Sequence, residues 1–543
     1  MADMLNRRLA FSAPLLSLLI FALCPGAQAP GAGGIPHIEK TGSVARLVVD
    51  GKPFLILGGE LHNSSASSLA YMEPIWPRLK ALNLNTVLAT VSWELLEPRE
   101  GQFDFRLVDG LIDAARANHL HLVFLWFGSW KNGGSTYQPS WVRMDLKRFP
   151  RARDESGKNL DTLSTFGRES RDADARAYAA LMKHLREVDG RDHTVLMMQV
   201  ENEVGLLGTS RDYSPAAETA WKELVPKALL SYLVNNKESL DPALSKVWGN
   251  LGYRTTGTWA EVFGNSARAH EIFMAWQYAQ YVDAVAAAGK AEYDIPMYAN
   301  AWLVQFDGEP GGSHPSGGPV SRVMDIWRAG SSHLDMLAPD IYRSDFRQVC
   351  AAYTRPDNPL FVPEARGEIG ASNALYAIGQ SVIGFSPFAI DSLSPDDMLG
   401  RSYSVLDQLS GLLLANRGME RTASVVCQQD EYRSDIELGG YLVEFDYQSS
   451  GNDASKRSPP AAIIINSGPN EFYVAGYGVV VRFRPDSPGP RHVELSEVDE
   501  GTFVNGQWKP GRRLNGDETN GGNVLILPEG APRIQRVQLF RHD

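Results

Sequence analysis

Eight short apolar segments, separated mostly by patterns typical of amphipathic helices, run through residues 54–385 of this chain of 543 residues. The segments are 54–57, 86–91, 122–125, 195–200, 296–299, 336–341, 360–362 and 382–385. Short strands that are apolar throughout are typical of a parallel sheet covered on both faces. Eight of them alternating with helices predict an α/β fold, a (β/α)₈ TIM barrel with loop insertions.

Two long helices are predicted between these strands, near residues 173–188 and 271–288. Glycines follow both patterns, and we expect Gly190 and Gly289 to end the two helices. A doubly wound open sheet would give a similar alternation of strands and helices. No G-x-G-x-x-G segment opens a helix to support that alternative.

The sequence pattern changes after about Arg421. Residues 441–447 alternate between apolar and polar side chains, and 461–465 and 478–483 are rich in β-formers, with Gly, Asn, Asp and Pro between them. This texture predicts a smaller all-β, sandwich-like domain over 425–543. The barrel is then expected to occupy 30–420, and loops are expected at 449–460 and 485–490.

The N-terminus has the features of an export signal. Arg7 and Arg8 precede an apolar run, and small residues at 27–29 suit a signal peptidase, so a signal peptide is predicted over 1–29. A transmembrane anchor is the alternative, but the run is short for a span of about 20 residues. Lipid anchoring at Cys24 is less favoured because no small residue precedes that cysteine. We expect export to the periplasm.

Composition excludes several other classes. The chain has 52 basic and 64 acidic residues, a net charge of -12, and no dense basic run. We therefore expect it neither to bind nucleic acid nor to insert stably into a membrane. Three cysteines are too few for a disulfide scaffold, and Cys350 and Cys427 are expected to be two buried thiols rather than a pair. Metal-ligand and nucleotide motifs are absent from the sequence, so no metal and no cofactor are expected. The oligomeric state is left open.

Acidic residues follow two of the predicted strands at the point where each strand ends. The fourth strand runs into Glu201, Asn202 and Glu203, and the seventh runs into Glu364. Carboxyl groups directly after an apolar strand are costly unless they lie at the open rim, where barrels hold their active sites. A solvated strand end would explain either one alone. Two rim carboxylates across one mouth are what glycoside hydrolysis requires.

Four motifs strengthen this interpretation: G-G-E-L-H-N at 58–63, the segment 85–105 with its Trp, Glu-Pro and Phe-Asp-Phe, Q-P-S-W-V at 138–142, and Q-V-E-N-E-V-G at 199–205. Together they resemble the β-galactosidases of glycoside hydrolase family 35, which belong to the large clan of retaining (β/α)₈-barrel glycosidases. The resemblance covers roughly residues 45–395. It is closest to a bacterial branch with a short C-terminal β-module. The Tyr and Arg that usually follow the His of the first motif are absent here.

The resemblance implies roles for three residues. Glu203 becomes the acid/base and Glu364 the nucleophile of a double displacement, which needs the first carboxyl group protonated and the second ionised. Asn202 is expected to hydrogen-bond the 2-hydroxyl group of the sugar, although a strand-end Asn can instead satisfy a turn. Glu201 is given no role, because the clan keeps the acid immediately after the Asn.

Aromatic residues at the predicted rim are the remaining candidates. Tyr342 follows the sixth strand and is expected either to donate its hydroxyl group to the nucleophile or to pack its ring in the core. Four tryptophans after strands two, three and five are candidates for stacking on a sugar, with core packing as the alternative. They are Trp93, Trp126, Trp130 and Trp302. Glu60 and His62 are weaker candidates for the same site.

These features predict a retaining exo-β-galactosidase that removes terminal β-linked galactose from oligosaccharides of plant cell-wall origin. The first alternative is the same mechanism on another sugar, as in a β-glucosidase or a β-mannosidase. The second alternative is a non-catalytic carbohydrate-binding protein on a barrel that has lost activity. The presence of both Glu203 and Glu364 argues against the second alternative.

Overall fold

The computed structural model describes residues 34–41, 44–306, 308–417, 419–429, 431–448 and 458–543. The predicted signal peptide and most of the predicted loop at 449–460 lie outside these residues. The strands are β1 His37–Thr41, β2 Val44–Val49, β3 Lys52–Phe54, β4 Ile56–Glu60, β5 Thr86–Ser92, β6 His121–Phe127, β7 Arg151–Arg153, β8 Asn159–Leu163, β9 Val195–Val200, β10 Met297–Trp302, β11 Met336–Ile341, β12 Glu364–Ala365, β13 Gly384–Phe385, β14 Thr422–Val426, β15 Arg433–Leu438, β16 Tyr441–Tyr447, β17 Ala461–Gly468, β18 Glu471–Tyr477, β19 Val479–Pro485, β20 His492–Val504, β21 Gln507–Arg513, β22 Leu525–Leu527 and β23 Arg533–His542.

The α-helices of the described residues lie mostly between the strands from β4 to β14. They are α1 Leu69–Met72, α2 Trp76–Ala81, α3 Trp93–Leu96, α4 Arg106–Ala117, α5 Ser140–Arg143, α6 Arg168–Asp189, α7 Pro215–Lys222, α8 Lys227–Asn235, α9 Pro242–Gly249, α10 Trp259–Phe263, α11 Ala267–Glu292, α12 Met324–Gly330, α13 Phe346–Tyr353, α14 Gly370–Gly379 and α15 Met398–Asn416. Within the part of the chain that the structure describes, none of them is long and apolar enough to cross a membrane.

Eight parallel strands form the predicted barrel, in the ring order β4, β5, β6, β9, β10, β11, β12 and β13, with β13 paired to β4. Hydrogen bonds to and from Val362 help to close the ring between the seventh and eighth strands. The Val362 amide donates to the Gly384 carbonyl over 3.1 Å, and the Ser386 amide donates to the Val362 carbonyl over 2.9 Å. The barrel prediction is therefore confirmed, and the open-sheet alternative is excluded.

The seventh strand differs from its prediction. Its ladder with β11 starts at Glu364, beyond the predicted segment 360–362, which bonds instead to the eighth strand. Pro363 lies between the two halves and has no amide hydrogen to donate to a ladder, so the strand is split there. The result is that Glu364 begins its own short strand at the mouth of the barrel.

Glycine has different roles in the two long helices. Gly190 is the C-cap of α6, as predicted, but α11 continues past Gly289 to Glu292. A Cβ atom on Gly289 would lie 2.3 Å from the Tyr178 ring, so this glycine allows α6 and α11 to pack closely. The expectation that Gly289 ends its helix was therefore wrong.

Side chains of β2 close the barrel at the amino-terminal ends of its strands, so the carboxyl-terminal ends are open for a site. Leu47 and Val49 of β2 join the cluster of apolar side chains inside the barrel, together with Leu88, Val123 and Met197 from the ring strands. Carboxyl-terminal strand ends therefore define the open mouth.

The C-terminal region is all-β, as predicted. A six-stranded sheet, β14-β17-β18-β23-β20-β21, and a four-stranded sheet, β15-β16-β19-β22, pair antiparallel throughout. Side chains from both sheets form one apolar core, among them Val443 and Phe445 from the smaller sheet and Ile464 and Val474 from the larger. The predicted limits of the two domains stay a prediction. Cys350 is buried, Cys427 is half-buried, and both are free thiols.

Candidate active site

Glu203 lies in the turn that follows β9, and its backbone is fixed on both sides. Its amide donates to the Asn300 side-chain oxygen over 2.9 Å, and its carbonyl accepts from the Gly133 amide over 3.0 Å. Its φ of 45° is left-handed, which is uncommon for a residue other than glycine. The turn therefore holds the Glu203 carboxyl group, which is 6% exposed, in one position at the mouth.

Glu364 occupies the facing strand, and Tyr342 is bonded to it. The Tyr342 hydroxyl group donates to Glu364 Oε1, while Glu364 Oε2 is buried without a hydrogen-bond partner among the described residues. One carboxylate oxygen each of Glu203, Asp340 and Glu364 lie within 4.8 Å of one another. This spacing matches the roughly 5–5.5 Å between the two carboxyl groups of a retaining glycosidase, and it is shorter than the roughly 6.5–9.5 Å of an inverting one.

The two carboxyl groups differ in their electrostatic surroundings. Burial, and then the negative charge of Glu364, raise the pKa of Glu203 to about 7, against an opposing effect of Lys131. Burial also raises the pKa of Glu364, but Lys131 and the hydrogen bond from Tyr342 both act to lower it. The charge of Glu364 therefore favours the protonated form of Glu203, while Lys131 and Tyr342 favour the ionised form of Glu364, which is the distribution that acid catalysis by Glu203 needs.

Asp340 is a member of this cluster that sequence reasoning missed. It is the last residue but one of β11, is buried, and hydrogen-bonds to the Glu203 carboxyl group. Burial and the charges of Glu364 and Glu203 raise its pKa well above the usual range of an aspartate. The Asn300 amide donates to Asp340 over 2.7 Å, so one asparagine holds both Asp340 and the Glu203 backbone. The signal was visible in the sequence, since Asp340 is a carboxyl group near the end of an apolar strand segment.

Asn202 and Glu201 have contrasting surroundings although they are neighbours. Both amide atoms of Asn202 are buried and have no partner among the described residues, a state that costs free energy until something pairs with them. Glu201 instead faces away from the cluster, where it accepts from the Trp130 amide over 2.7 Å and hydrogen-bonds to Asp174 of α6. The predicted contact of Asn202 with a sugar hydroxyl group stays a prediction.

The structure corrects the predictions for Trp93 and Trp126. Both are fully buried at 0% exposure, so neither presents a ring face to a sugar. Trp93 donates to Glu97 over 2.7 Å, and Trp126 donates to Asp174 over 2.9 Å, because loops and α6 cover these strand ends. Trp130 is also a core residue, and the centroid of its ring lies 4.4 Å from that of the Tyr281 ring.

Trp302 and Tyr342 remain at the mouth. Trp302 is half-buried, and it lies two residues after Asn300 on the same strand, so both side chains project into the barrel mouth. Tyr342 is 36% exposed. His62 is held by Asp391, its Nδ1 lying 2.9 Å from Asp391 Oδ1, so it supports the loop after β4. Contacts of Trp302 and Tyr342 with a sugar stay a prediction.

Glu203, Asp340 and Glu364 also form the one group of carboxyl, imidazole or thiol side chains, within the described residues, that is close enough to hold a metal ion. Asn300 and Tyr342 already donate to two of the three, and Glu203 and Asp340 share a hydrogen bond. Hydrogen bonding therefore accounts for part of the cluster, while Glu364 Oε2 has no partner among the described residues. The expectation that no metal takes part stays a prediction.

A parallel eight-stranded barrel with paired carboxyl groups across its carboxyl-terminal mouth is the arrangement of the (β/α)₈-barrel glycosidases. Residues 46–257 match the family described as Glycosyl hydrolases family 35, so the resemblance indicated by the motifs is confirmed over this part of the chain. Residues 399–525 match a second family, described as Domain of unknown function (DUF5597).

Individual relatives give partial matches. Over 213 residues, 37% of this chain, the sequence is 29% identical to a beta-galactosidase of Xanthomonas manihotis, and the match spans 31% of that protein's length. A solved beta-galactosidase from Bacillus circulans sp. alkalophilus is 15% identical, with a TM-score of 0.46, over 67% of this chain and 57% of that one. The catalytic domain of a beta-amylase from Paenibacillus polymyxa is 14% identical, with a TM-score of 0.46, over 64% of this chain and 97% of that one.

Proposed function

We propose that this protein is a retaining exo-β-galactosidase that hydrolyses terminal β-linked galactose. The observation that carries the proposal is the spacing of at most 4.8 Å between the nearest oxygens of Glu203 and Glu364, one with a raised pKa and one bonded to Tyr342. Glu364 attacks the anomeric carbon while Glu203 protonates the leaving oxygen. Glu203 then removes a proton from the water that releases the sugar.

The choice of galactose is supported by the family match over residues 46–257 and by the relative whose name is beta-galactosidase. Exo action and a substrate of plant cell-wall origin are parts of the same proposal that rest on the family resemblance. β-Glucoside or β-mannoside cleavage would use the same catalytic pair, since fold and mechanism are shared among these sugars.

Parallel assays on aryl β-galactoside, β-glucoside and β-mannoside test the reaction and the sugar. We expect turnover of the galactoside, with the β-anomer as the first product by NMR, and loss of turnover in both Glu203→Gln and Glu364→Gln on an aryl group that is a poor leaving group. A first product of α configuration would contradict retention. Binding of sugar without turnover by the wild type would favour the carbohydrate-binding alternative.

Exo action is tested on a galactosylated plant oligosaccharide by mass spectrometry. A pocket that accepts one terminal sugar should release single hexoses and leave the backbone intact. Internal backbone fragments would contradict exo action, even if galactose release were also observed.

We also propose that the protein is exported, on the strength of the basic, apolar and small-residue pattern in its first 29 residues. Expression of the full chain in a Gram-negative host, followed by cell fractionation and N-terminal sequencing, should find the protein in the periplasm with its N-terminus shortened. An intact N-terminus in the cytoplasmic fraction would contradict this proposal.

A further inference from the structure

The two halves of the barrel mouth carry different side chains. The cluster of Glu203, Asn300, Asp340 and Glu364 comes from four consecutive ring strands, β9 to β12. The anomeric carbon of a bound sugar must lie between Glu203 and Glu364 for the proposed reaction. The rest of the sugar ring then extends toward the other half of the mouth, where β4, β5 and β6 end.

Glu60 is the last residue of β4 and is buried in that second half. It is 1% exposed, and its Oε1 atom has no hydrogen-bond partner among the described residues. Its carboxyl group is near enough to Glu364, Lys131 and Glu203 for their charges to act on it. It therefore belongs to the same space as the catalytic pair, and nothing in the described structure satisfies its buried oxygen.

The protonation of Glu60 suits the binding of a hydroxyl group. Burial, and then the charge of Glu364, raise its pKa well above the usual range of a glutamate, against an opposing effect of Lys131, and this favours the protonated form. A neutral carboxyl group has one donor and one free acceptor, which is also what a sugar hydroxyl group offers. A purely structural carboxyl group would be expected to have its partners within the protein, as Glu97 has with Trp93 and the Gly101 amide.

Lys131 is the second unusual group on this side. It follows β6 in a loop fixed by hydrogen bonds in both directions with Gly134, of 2.9 and 3.0 Å, and its Nζ lies 5.0 Å from the centroid of the Phe127 ring. Its charge lowers the pKa of Glu60, Glu203 and Glu364. Within the described ranges it forms no ion pair at 4.0 Å or less, so its ammonium group, which lies over the Phe127 ring, can donate to a ligand.

We infer that Glu60 and Lys131 form the side of the pocket that recognises the sugar. Glu60, assisted by Lys131, binds hydroxyl groups at O3, O4 or O6, on the ring edge away from the anomeric carbon. The 2-hydroxyl group is adjacent to the anomeric carbon and is left to Asn202. This inference rests on the proposed function for the position of the anomeric carbon. It identifies Glu60 as a residue that determines which sugar is accepted.

The test compares removal of the Glu60 carboxyl group with removal of single substrate hydroxyl groups. kcat/KM is measured for wild type, Glu60→Ala, Glu60→Gln and Lys131→Met on an aryl β-galactoside and on its 2-, 3-, 4- and 6-deoxy forms. Deleting the contacted hydroxyl group should lower kcat/KM of the wild type about 10- to 100-fold. Glu60→Ala should lose a similar factor on the parent substrate and lose little more on the matching deoxy substrate.

Conservative and control variants separate recognition from folding. Glu60→Gln keeps one donor and one acceptor, so it should retain part of the dependence on the same hydroxyl group. Glu97→Gln changes another buried carboxyl group near the mouth and should leave the pattern across the deoxy series as in the wild type. If Glu60→Ala fails to fold by circular dichroism, the comparison rests on Glu60→Gln, whose loss should concentrate on the same hydroxyl group.

The inference is overturned if every deoxy substrate loses the same factor in wild type and in the Glu60 variants, or if only the 2-hydroxyl group is coupled to Glu60. Failure of the proposed function is a different result. A wild type that cleaves only a glucoside or a mannoside contradicts the galactosidase proposal, and the deoxy series of that sugar then tests Glu60. If no aryl glycoside is cleaved, calorimetric binding of galactose and its deoxy forms gives the same comparison.

Discussion

Glu203 has to be an acid in the first step and a base in the second, and the charge of Glu364 is what should convert one into the other. In the free enzyme Glu364 is ionised and raises the pKa of Glu203, together with burial, to about 7. In the glycosyl-enzyme Glu364 is an uncharged ester. We predict that forming this ester lowers the pKa of Glu203, so that it ionises when water has to be activated.

The distance between the groups sets the size of this effect. Two unit charges 4.8 Å apart repel by about 0.9 kcal/mol at the dielectric constant of water and by about 3.5 kcal/mol at an effective value of 20. Removing the Glu364 charge should therefore weaken proton binding to Glu203 by roughly 5- to 400-fold. Burial is the larger cause of the raised pKa and persists in the ester, so the pKa should not return fully to the usual glutamate value.

Two pH profiles measure the change. In the free enzyme kcat/KM on a phenyl galactoside should fall as pH rises through about 7, because the acid loses its proton. Enzyme trapped with a 2-fluoro galactoside should recover activity at a rate that rises with the ionised fraction of Glu203. The midpoint of that recovery profile should lie at a lower pH than the limb seen in kcat/KM.

Glu203→Ala is the control, since its recovery should lose this pH dependence and be accelerated by azide. A recovery midpoint at or above that of the free enzyme would refute the reasoning, because the charge of Glu364 would then have no influence on Glu203. Label found on any residue other than Glu364 would refute the assignment of the nucleophile itself.

Three further predictions concern single side chains. Glu203→Ala should strongly impair cleavage of oligosaccharides but spare the first step on dinitrophenyl galactoside, whose leaving group needs no proton. If the pre-steady-state rate of the first step falls by the same factor for good and poor leaving groups, acid catalysis by Glu203 is contradicted. Tyr342→Phe removes the donor to Glu364, so kcat/KM should fall about 10- to 100-fold, with the acidic limb of its profile moved to higher pH; an unmoved limb would contradict this role. Glu201 has a pKa raised by burial and by Asp174, so stability that it contributes at low pH is lost as pH rises. Relative to wild type, Glu201→Gln should gain free energy of unfolding between pH 5 and pH 8, by urea titration, and an unchanged difference would contradict the raised pKa.

The barrel could be predicted because its strands are buried on both faces and are therefore apolar throughout. Strands at Val195–Val200 and Met336–Ile341 have the predicted bounds. The seventh strand does not, because its position depends on which neighbours supply hydrogen bonds on either side of Pro363. The role of Gly289 was misjudged for a similar reason, since only the packing of α6 on α11 shows why a side chain is excluded there.

The catalytic candidates could be found because a carboxyl group after an apolar strand is costly unless it has a function or a partner. The same reasoning would have selected Asp340, but its importance depends on its distance from Glu203, which no sequence pattern gives. Positions at strand ends also suggested that Trp93 and Trp126 face a ligand. The burial of Trp126 is decided by α6, which supplies Asp174 as its partner, and Trp93, whose partner Glu97 is four residues further on, is also covered by the ring of Trp141.

Glu201 and Glu203 show why residue type and spacing cannot assign a role without the surrounding contacts. Both are buried, both have positive φ, and burial is the largest cause of a raised pKa in each. Glu201 meets Asp174 and the Trp130 amide, which bind it to the wall between barrel and helix. Glu203 instead meets the charge of Glu364, and that charge is the one that the proposed reaction removes and restores in each cycle. The raised pKa of Glu201 is therefore constant through the reaction, whereas that of Glu203 changes with the charge of Glu364. Only a group whose pKa changes in this way can serve as both acid and base.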